Sequence, residues 1–211
     1  MLLIEERFGK RRMKDTDHDD KQSVKVQRVK SYFIEAAKQI ILSEGVENVS
    51  IRKVADRAGY TFTTIYNYFK DLNELLQETK SMMISDVMAH MQKDAPEEIN
   101  EVNDVKKINR KYISYYFDRP NVFSFFYSYR LHPSQDTQTQ ALDFSDSYIK
   151  TYRSFAARGV IAEKEIPIIA KTIIYTLHGL LALYFSDNGM TKDMLYGELD
   201  TITGYLLGER P

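Results

Sequence analysis

The chain has 211 residues, with 29 Lys and Arg against 30 Asp and Glu, and no cysteine. That length allows one large or two small domains with a sizeable core, and the lack of thiols excludes a disulfide framework and any thiolate metal site. The near-zero net charge conceals a split: residues 21–80 carry ten Lys/Arg against seven Asp/Glu, whereas residues 81–211 carry fourteen against seventeen.

Residues 1–22 mix RRMK with DTDHDDK and show no periodicity. They read as a flexible arm, whose basic cluster Lys10, Arg11, Arg12 and Lys14 is expected to be solvated. The opening MLLIEERFGKRRMKD puts charges where a secretion signal needs its apolar run. No stretch approaches about 18 uninterrupted apolar residues, so no membrane span and a cytoplasmic location are expected.

From Val24 the pattern becomes helical. Val26, Val29, Phe33, Ala36, Ala37, Ile40 and Ile41 recur at the spacing of one helical face, and Gly45 closes the run. Residues 50–69, SIRKVADRAGYTFTTIYNYF, read as two short helices around a sharp turn at Gly59, where positive φ is needed. Ser50 and Thr61 are placed to accept from the first amides of the two helices. Ile51, Val54, Ala55 and Ala58 make one inward stripe, and Ile65 and Phe69 the next. Thr61, Thr63, Thr64, Tyr66, Asn67 and Tyr68 are then left outside. A plain solvated face usually carries Glu and Lys. Hydroxyls, amides and phenols with no acid from Thr61 to Phe69 instead suit phosphates and base edges, as in a helix–turn–helix reader of DNA.

A fourth helix is expected from Asp71 to about Lys93, opened by a capping box with Glu74. Its methionines, Met82, Met83, Met88 and Met91, could slide between packings. Further helices are expected at Val102–Phe117, Asn121–Leu131, Thr137–Ala157, Ile166–Asn188 and Lys192–Leu207, the last capped by Thr191. Nothing alternates as a strand would. The reading is all-α, about nine helices: an arm (1–22), a helix–turn–helix head (23–72) and a helical regulatory body for ligand binding and dimerisation (73–211).

The body is rich in tyrosine and phenylalanine. Any one of these is more simply core, but as a group they suggest a pocket for an aromatic, lipophilic or cationic ligand. The candidates are Tyr112, Tyr115, Tyr116, Phe123, Phe126, Tyr127, Tyr152, Phe155, Tyr175 and His178, with Tyr148 nearby. Ile173, Leu177, Leu180, Leu181, Tyr184, Leu199, Ile202 and Leu206 give the last two long helices more apolar surface than one chain readily covers. A symmetric four-helix dimer interface would resolve it. The four histidines, His18, His90, His132 and His178, are scattered, and no phosphate loop or nucleophile elbow occurs. No enzyme activity, metal or cofactor is expected.

Ile34-Glu35-Ala36-Ala37, Ile40-Ile41, Gly45, Ser50-Ile51-Arg52, Val54-Ala55, Ala58-Gly59, Ile65-Tyr66, Tyr68-Phe69-Lys70 and Glu74-Leu75-Leu76 together resemble the TetR family of bacterial transcriptional regulators. The resemblance implies a homodimer on a palindromic operator, more often a repressor than an activator, released when a small molecule enters the body. It places Arg52, Tyr60, Thr63, Thr64 and Asn67 at bases or nearby backbone, and Thr61, Tyr66, Tyr68 and Lys70 at phosphates. Two positions depart from the family: Leu72 stands where a phosphate-binding lysine is usual, and Thr63 where a small residue is common. A different class of function on the same fold is a protein-interaction module, tethered to DNA by the head and recruiting a protein partner through the body.

Overall fold

A computed structural model describes the backbone of residues 2–93, 98–132, 145–187 and 189–209, and their side chains except at 2–22, 145–148 and 150. Among the described residues there are nine α-helices and no strand: α1 (Leu2–Glu44), α2 (Ile51–Ala58), α3 (Phe62–Ile65), α4 (Leu72–Gln92), α5 (Val102–Phe117), α6 (Pro120–Phe123), α7 (Ser145–Ala157), α8 (Ile166–Phe185) and α9 (Lys192–Leu206). The all-α expectation holds. Three expectations about extent change. Helix α1 begins at Leu2, so the stretch read as an arm has helical backbone; it is rich in strong helix formers and contains no proline. The helix expected at 121–131 is one α turn followed by a π-helical turn, Ser124–Ser128. Helix α8 stops at Phe185 rather than at Asn188, which lies outside the described residues, as do Tyr148's side chain and positions 137–144.

The chain divides into two compact units, residues 1–82 with 124–137 and residues 83–123 with 138–211. The division falls inside α4, where the sequence suggested its start.

In the first unit α2 packs on α1 and on α3. Phe33, Ala37, Ile40 and Ile41 of α1 are buried with Val54 and Ala55 of α2, Ile65 of α3, Phe69, and Leu75 and Leu76 of α4. The larger of these side chains each contribute about 1.5–3 kcal/mol on burial. Phe33 meets the edge of Phe69 with centroids 6.3 Å apart. The termini follow the sequence closely. Ser50 Oγ accepts from the Lys53 amide at 3.3 Å. Gly59 adopts the left-handed conformation (φ 77°, ψ 28°), and the Tyr60 amide reaches back to the Ala55 carbonyl at 2.9 Å. Asp71 Oδ1 accepts from the Glu74 amide at 2.9 Å, while Glu74 reaches past the expected partner to the Lys70 amide at 2.6 Å.

In the second unit α5 packs against α8 and α9, and α8 against α7 and α9. Its core holds Val105, Tyr112, Ile113 and Tyr116 of α5, Tyr152 and Phe155 of α7, Ile169, Ile173, Leu177 and Leu181 of α8, and Leu195 and Leu199 of α9. Thr191 caps α9 as expected, accepting from the Met194 amide at 3.2 Å. Against the sequence expectation, the stretch Glu163–Phe185 is by length and composition long and apolar enough to cross a membrane. The interrupting Lys171 and His178 hid this from a search for unbroken runs. Its buried stripe, Ile169, Ile173, Leu177 and Leu181, is that of a core helix.

Candidate nucleic-acid interface

Helix α2 carries three basic residues that meet different fates. Lys53 and Arg57 both pair with Glu44 at the end of α1, the latter at 3.4 Å. The hydrogen bond and charge of Lys53, with Arg57 beyond it, hold the Glu44 carboxyl below its ordinary range. Arg52 lies on the exposed side, its guanidinium carbon 5.4 Å from the centroid of the Phe62 ring.

The segment after Gly59 is a single α turn continued by two tighter turns and a last α-type bond. The Asn67 amide bonds to the Thr64 carbonyl at 3.1 Å, and the Tyr68 and Phe69 amides to the Ile65 carbonyl at 3.0 Å. Burying Ile65 and Phe69 fixes which way the rest points. Arg52, Thr61, Thr63, Tyr66, Asn67 and Lys70 are exposed, and Tyr60, Thr64 and Tyr68 half-exposed. Tyr60 and Tyr68 lean their rings on Phe33, with centroids 5.1 and 5.8 Å away, so their positions are set by the core beneath. Thr61 occupies the cap position of α3 but makes no side-chain cap bond. Its hydroxyl instead meets those of Thr63 at 2.9 Å and Thr64 at 2.8 Å, because three threonines within four residues bring their hydroxyls together. Leu72, at the lysine-favouring position, is half-buried at the start of α4. Phe62, 46% exposed, is absent from the sequence-derived set. Its signal was present in its spacing: it shares a helical face with Ile65 and Phe69, yet α3 is too short to cover it.

The body candidates separate. Tyr112, Tyr115, Tyr116, Phe123, Tyr152 and Phe155 are buried in the second unit. Tyr112 Oη shares a hydrogen bond with His178 Nε2 at 2.8 Å and approaches Tyr116 Oη at 3.3 Å. Burial pushes the His178 imidazole down to about 4, so it is neutral near neutral pH. Phe126 and Tyr127 lie in the π turn and belong to the first unit; Phe126 is buried and Tyr127 exposed. Tyr175 does not join the cluster, being 69% exposed. The dimer candidates divide as well. Ile173, Leu177, Leu180, Leu181 and Leu199 are buried within the chain itself, while Tyr184, Ile202 and Leu206 are half-buried. Periodicity located the apolar face of α8 but not the neighbour covering it: α7 and α9 of the same chain take it. The outward faces carry Ile168, Tyr175 and Leu183 on α8, and Met194 and Tyr205 on α9. An open groove of about 640 Å³ lies along α9 by Lys106, Asp200, Tyr205 and Glu209, and none of the buried tyrosines Tyr112, Tyr115, Tyr116 and Tyr152 lines it. Among the described residues no group of three His, Asp or Glu is placed to hold a metal ion.

A head of this form, presenting hydroxyls, an amide and two cations, is a helix–turn–helix, the motif of a class of DNA-binding proteins. Residues 33–79 match the sequence model of the bacterial regulatory proteins of the tetR family, and the chain has that family's fold. A tetR-family transcriptional regulator from Streptomyces coelicolor superposes with a TM-score of 0.63 at 16% identity, over 85% of this chain and 80% of that one. FadR of Thermus thermophilus, a TetR-family repressor solved with lauroyl-CoA, gives 0.64 at 14% identity over 86% and 95%. RolR, solved with resorcinol, gives 0.65 at 14% identity over 88% and 90%. At these identities the likeness is one of fold. Comparison with curated protein sequences gives no match.

Proposed function

We propose that the chain is a ligand-responsive repressor that binds a palindromic operator as a homodimer. One observation carries the reading: the exposed surface from Thr61 to Lys70, with Arg52 beside it, offers donors and cations and not one carboxylate. Phosphates require that chemistry, and threonine, asparagine and arginine also reach base edges.

The dimer reading is supported by what the protomer leaves uncovered. Ile168, Tyr175 and Leu183 of α8 and Met194 and Tyr205 of α9 are exposed. A Cβ built on Gly179 or Gly197 meets nothing within 4 Å. Large apolar side chains beside small ones suit the close approach of a second copy of the same helices, and a two-fold pair presents two recognition segments, as a palindrome demands. These outward residues replace the buried leucines as the proposed interface.

For the effector, the buried chain Tyr116–Tyr112–His178 places polar groups in an aromatic interior, the chemistry of a site for a small organic molecule. Helix α4 contributes its first half to one unit and its second to the other, which supports it as the candidate coupling element. Release of DNA is limited by the ligand's difference in affinity between the two states.

Selection of bound duplexes from a random pool, repeated with candidate ligands, tests the reading. The expected product is a palindrome whose half-sites lie about one helical turn, 34–36 Å, apart, bound by two chains. A protein that stays single-chain at micromolar concentration and retains no duplex at low salt overturns it.

A further inference from the structure

We infer that Phe62 is a specificity-determining residue that reads the C5-methyl group of a thymine, with Arg52 held over it as a pre-positioned donor; this rests on the DNA-binding reading above. Phe62 is the first residue of α3 and is 46% exposed. Residues at the start of a recognition helix are those that meet base edges in the major groove. Its neighbours on the surface, Thr61 and Thr63, turn their hydroxyls toward one another at 2.9 Å. The ring is thus left as the apolar feature among polar ones. In the major groove the thymine methyl is the one apolar group that a base pair displays, and phenylalanine is among the side chains suited to it.

Arg52 strengthens the assignment. Lys53 and Arg57 on the same helix are tied to Glu44, whereas Arg52 has no carboxylate partner among the described residues and lies over the Phe62 ring, its guanidinium carbon 5.4 Å from the centroid. A planar guanidinium on an aromatic face keeps its N–H edge available. Ring and guanidinium therefore lie next to each other on the surface, the one apolar and the other donating. A thymine beside a guanine or a phosphate matches both parts.

The test uses the full chain and the duplex it selects, with each thymine replaced in turn by uracil, which lacks only the methyl. One position per half-site is expected to weaken wild-type binding by about fourfold, the amount one buried methyl group confers. Phe62→Ala should bind the thymine and uracil duplexes equally, and Phe62→Leu should restore the difference. Unchanged helicity and melting of Phe62→Ala separate loss of reading from loss of fold. A wild-type protein that binds its selected duplex yet is indifferent to every such replacement overturns this inference alone. So does a Phe62→Ala variant that keeps the thymine preference. A protein that retains no duplex overturns the DNA-binding reading and this inference with it.

Discussion

Asn73 and His132 clasp each other through both of their polar ends. The Asn73 amide donates to the His132 carbonyl at 2.9 Å, and the His132 backbone amide donates to Asn73 Oδ1 at 2.9 Å. Gln77, one turn along α4, donates to the same carbonyl at 2.7 Å, and Lys80 donates to the Phe126 carbonyl at 3.0 Å. Burial lowers the Lys80 ammonium from its ordinary value. Residues 73, 77 and 80 lie on one face of α4, so a single helix holds the main chain of 124–132 by side-chain bonds.

Because two side chains serve one carbonyl, their losses should not add. Asn73→Ala and Gln77→Ala are each expected to cost about 0.5–1.5 kcal/mol. The double variant should cost more than the sum, since only then does the His132 carbonyl lose both protein donors. Urea denaturation of the four proteins measures the coupling, and strict additivity would show that the clasp is not cooperative.

On the recognition segment, base reading and phosphate holding predict different behaviour. Asn67, exposed just past α3, is expected to discriminate among sequences, so Asn67→Ala should lose affinity for the preferred duplex and little for a scrambled one. Lys70→Ala should weaken both alike and reduce the slope of affinity against salt by about one. Titrations on matched and scrambled duplexes at several salt concentrations decide. Equal losses for Asn67→Ala on both would remove it from the base-reading set.

The head was legible because its signals are local. Ser50, Gly59 and Asp71 act within four residues of themselves, and each sits where its chemistry demanded. Thr61 was misjudged because its competing partners, Thr63 and Thr64, are equally local and offer hydroxyls in place of an amide. The body was legible only as helices. On helix α8 periodicity put Leu177 on the apolar face, but that α7 and α9 of the same chain cover it, while Tyr175 stays outside, depends on packing between distant segments. Similarly, Asn109 and Thr203 lie 94 residues apart in sequence yet form a fully buried pair at 3.1 Å between α5 and α9, which no spacing rule connects.

Gly179 gives a clean test of the dimer face. An added side chain there meets open space within the protomer, and replacing a helical glycine stabilises a helix by up to about 1 kcal/mol. Gly179→Gln should therefore leave the protomer folded, with melting unchanged or raised when measured below the dimer dissociation constant. In the dimer, overpacking at a close helix crossing costs about 1–3 kcal/mol, roughly five- to 150-fold in the dimer dissociation constant. Sedimentation at a series of concentrations reads this directly. A dimer unaffected by glutamine at 179 would place the interface elsewhere.

The buried imidazole of His178 makes stability depend on pH with a definite sign. Burial depresses its folded value to about 4 from an ordinary 6.5. Above pH 6.5 the ring is neutral in both folded and unfolded chains, and its contribution is fully present. As pH falls from 6.5 toward 4, the unfolded chain takes up a proton that the folded chain refuses, and stability drains away. The full effect is on the order of 3 kcal/mol. Its measure is the difference in denaturation midpoint between about pH 7.5 and pH 4.5, compared for wild type and His178→Gln, so that shared carboxylate effects cancel. Glutamine can still hydrogen-bond Tyr112 but cannot titrate, so the variant should lose less on acidification. His90, whose imidazole is also lowered by burial and then by Lys111, Arg119 and Lys93, contributes with the same sign. His90→Gln therefore separates the two histidines. Parallel pH dependence in wild type and His178→Gln would mean that the ring is not held neutral by its surroundings.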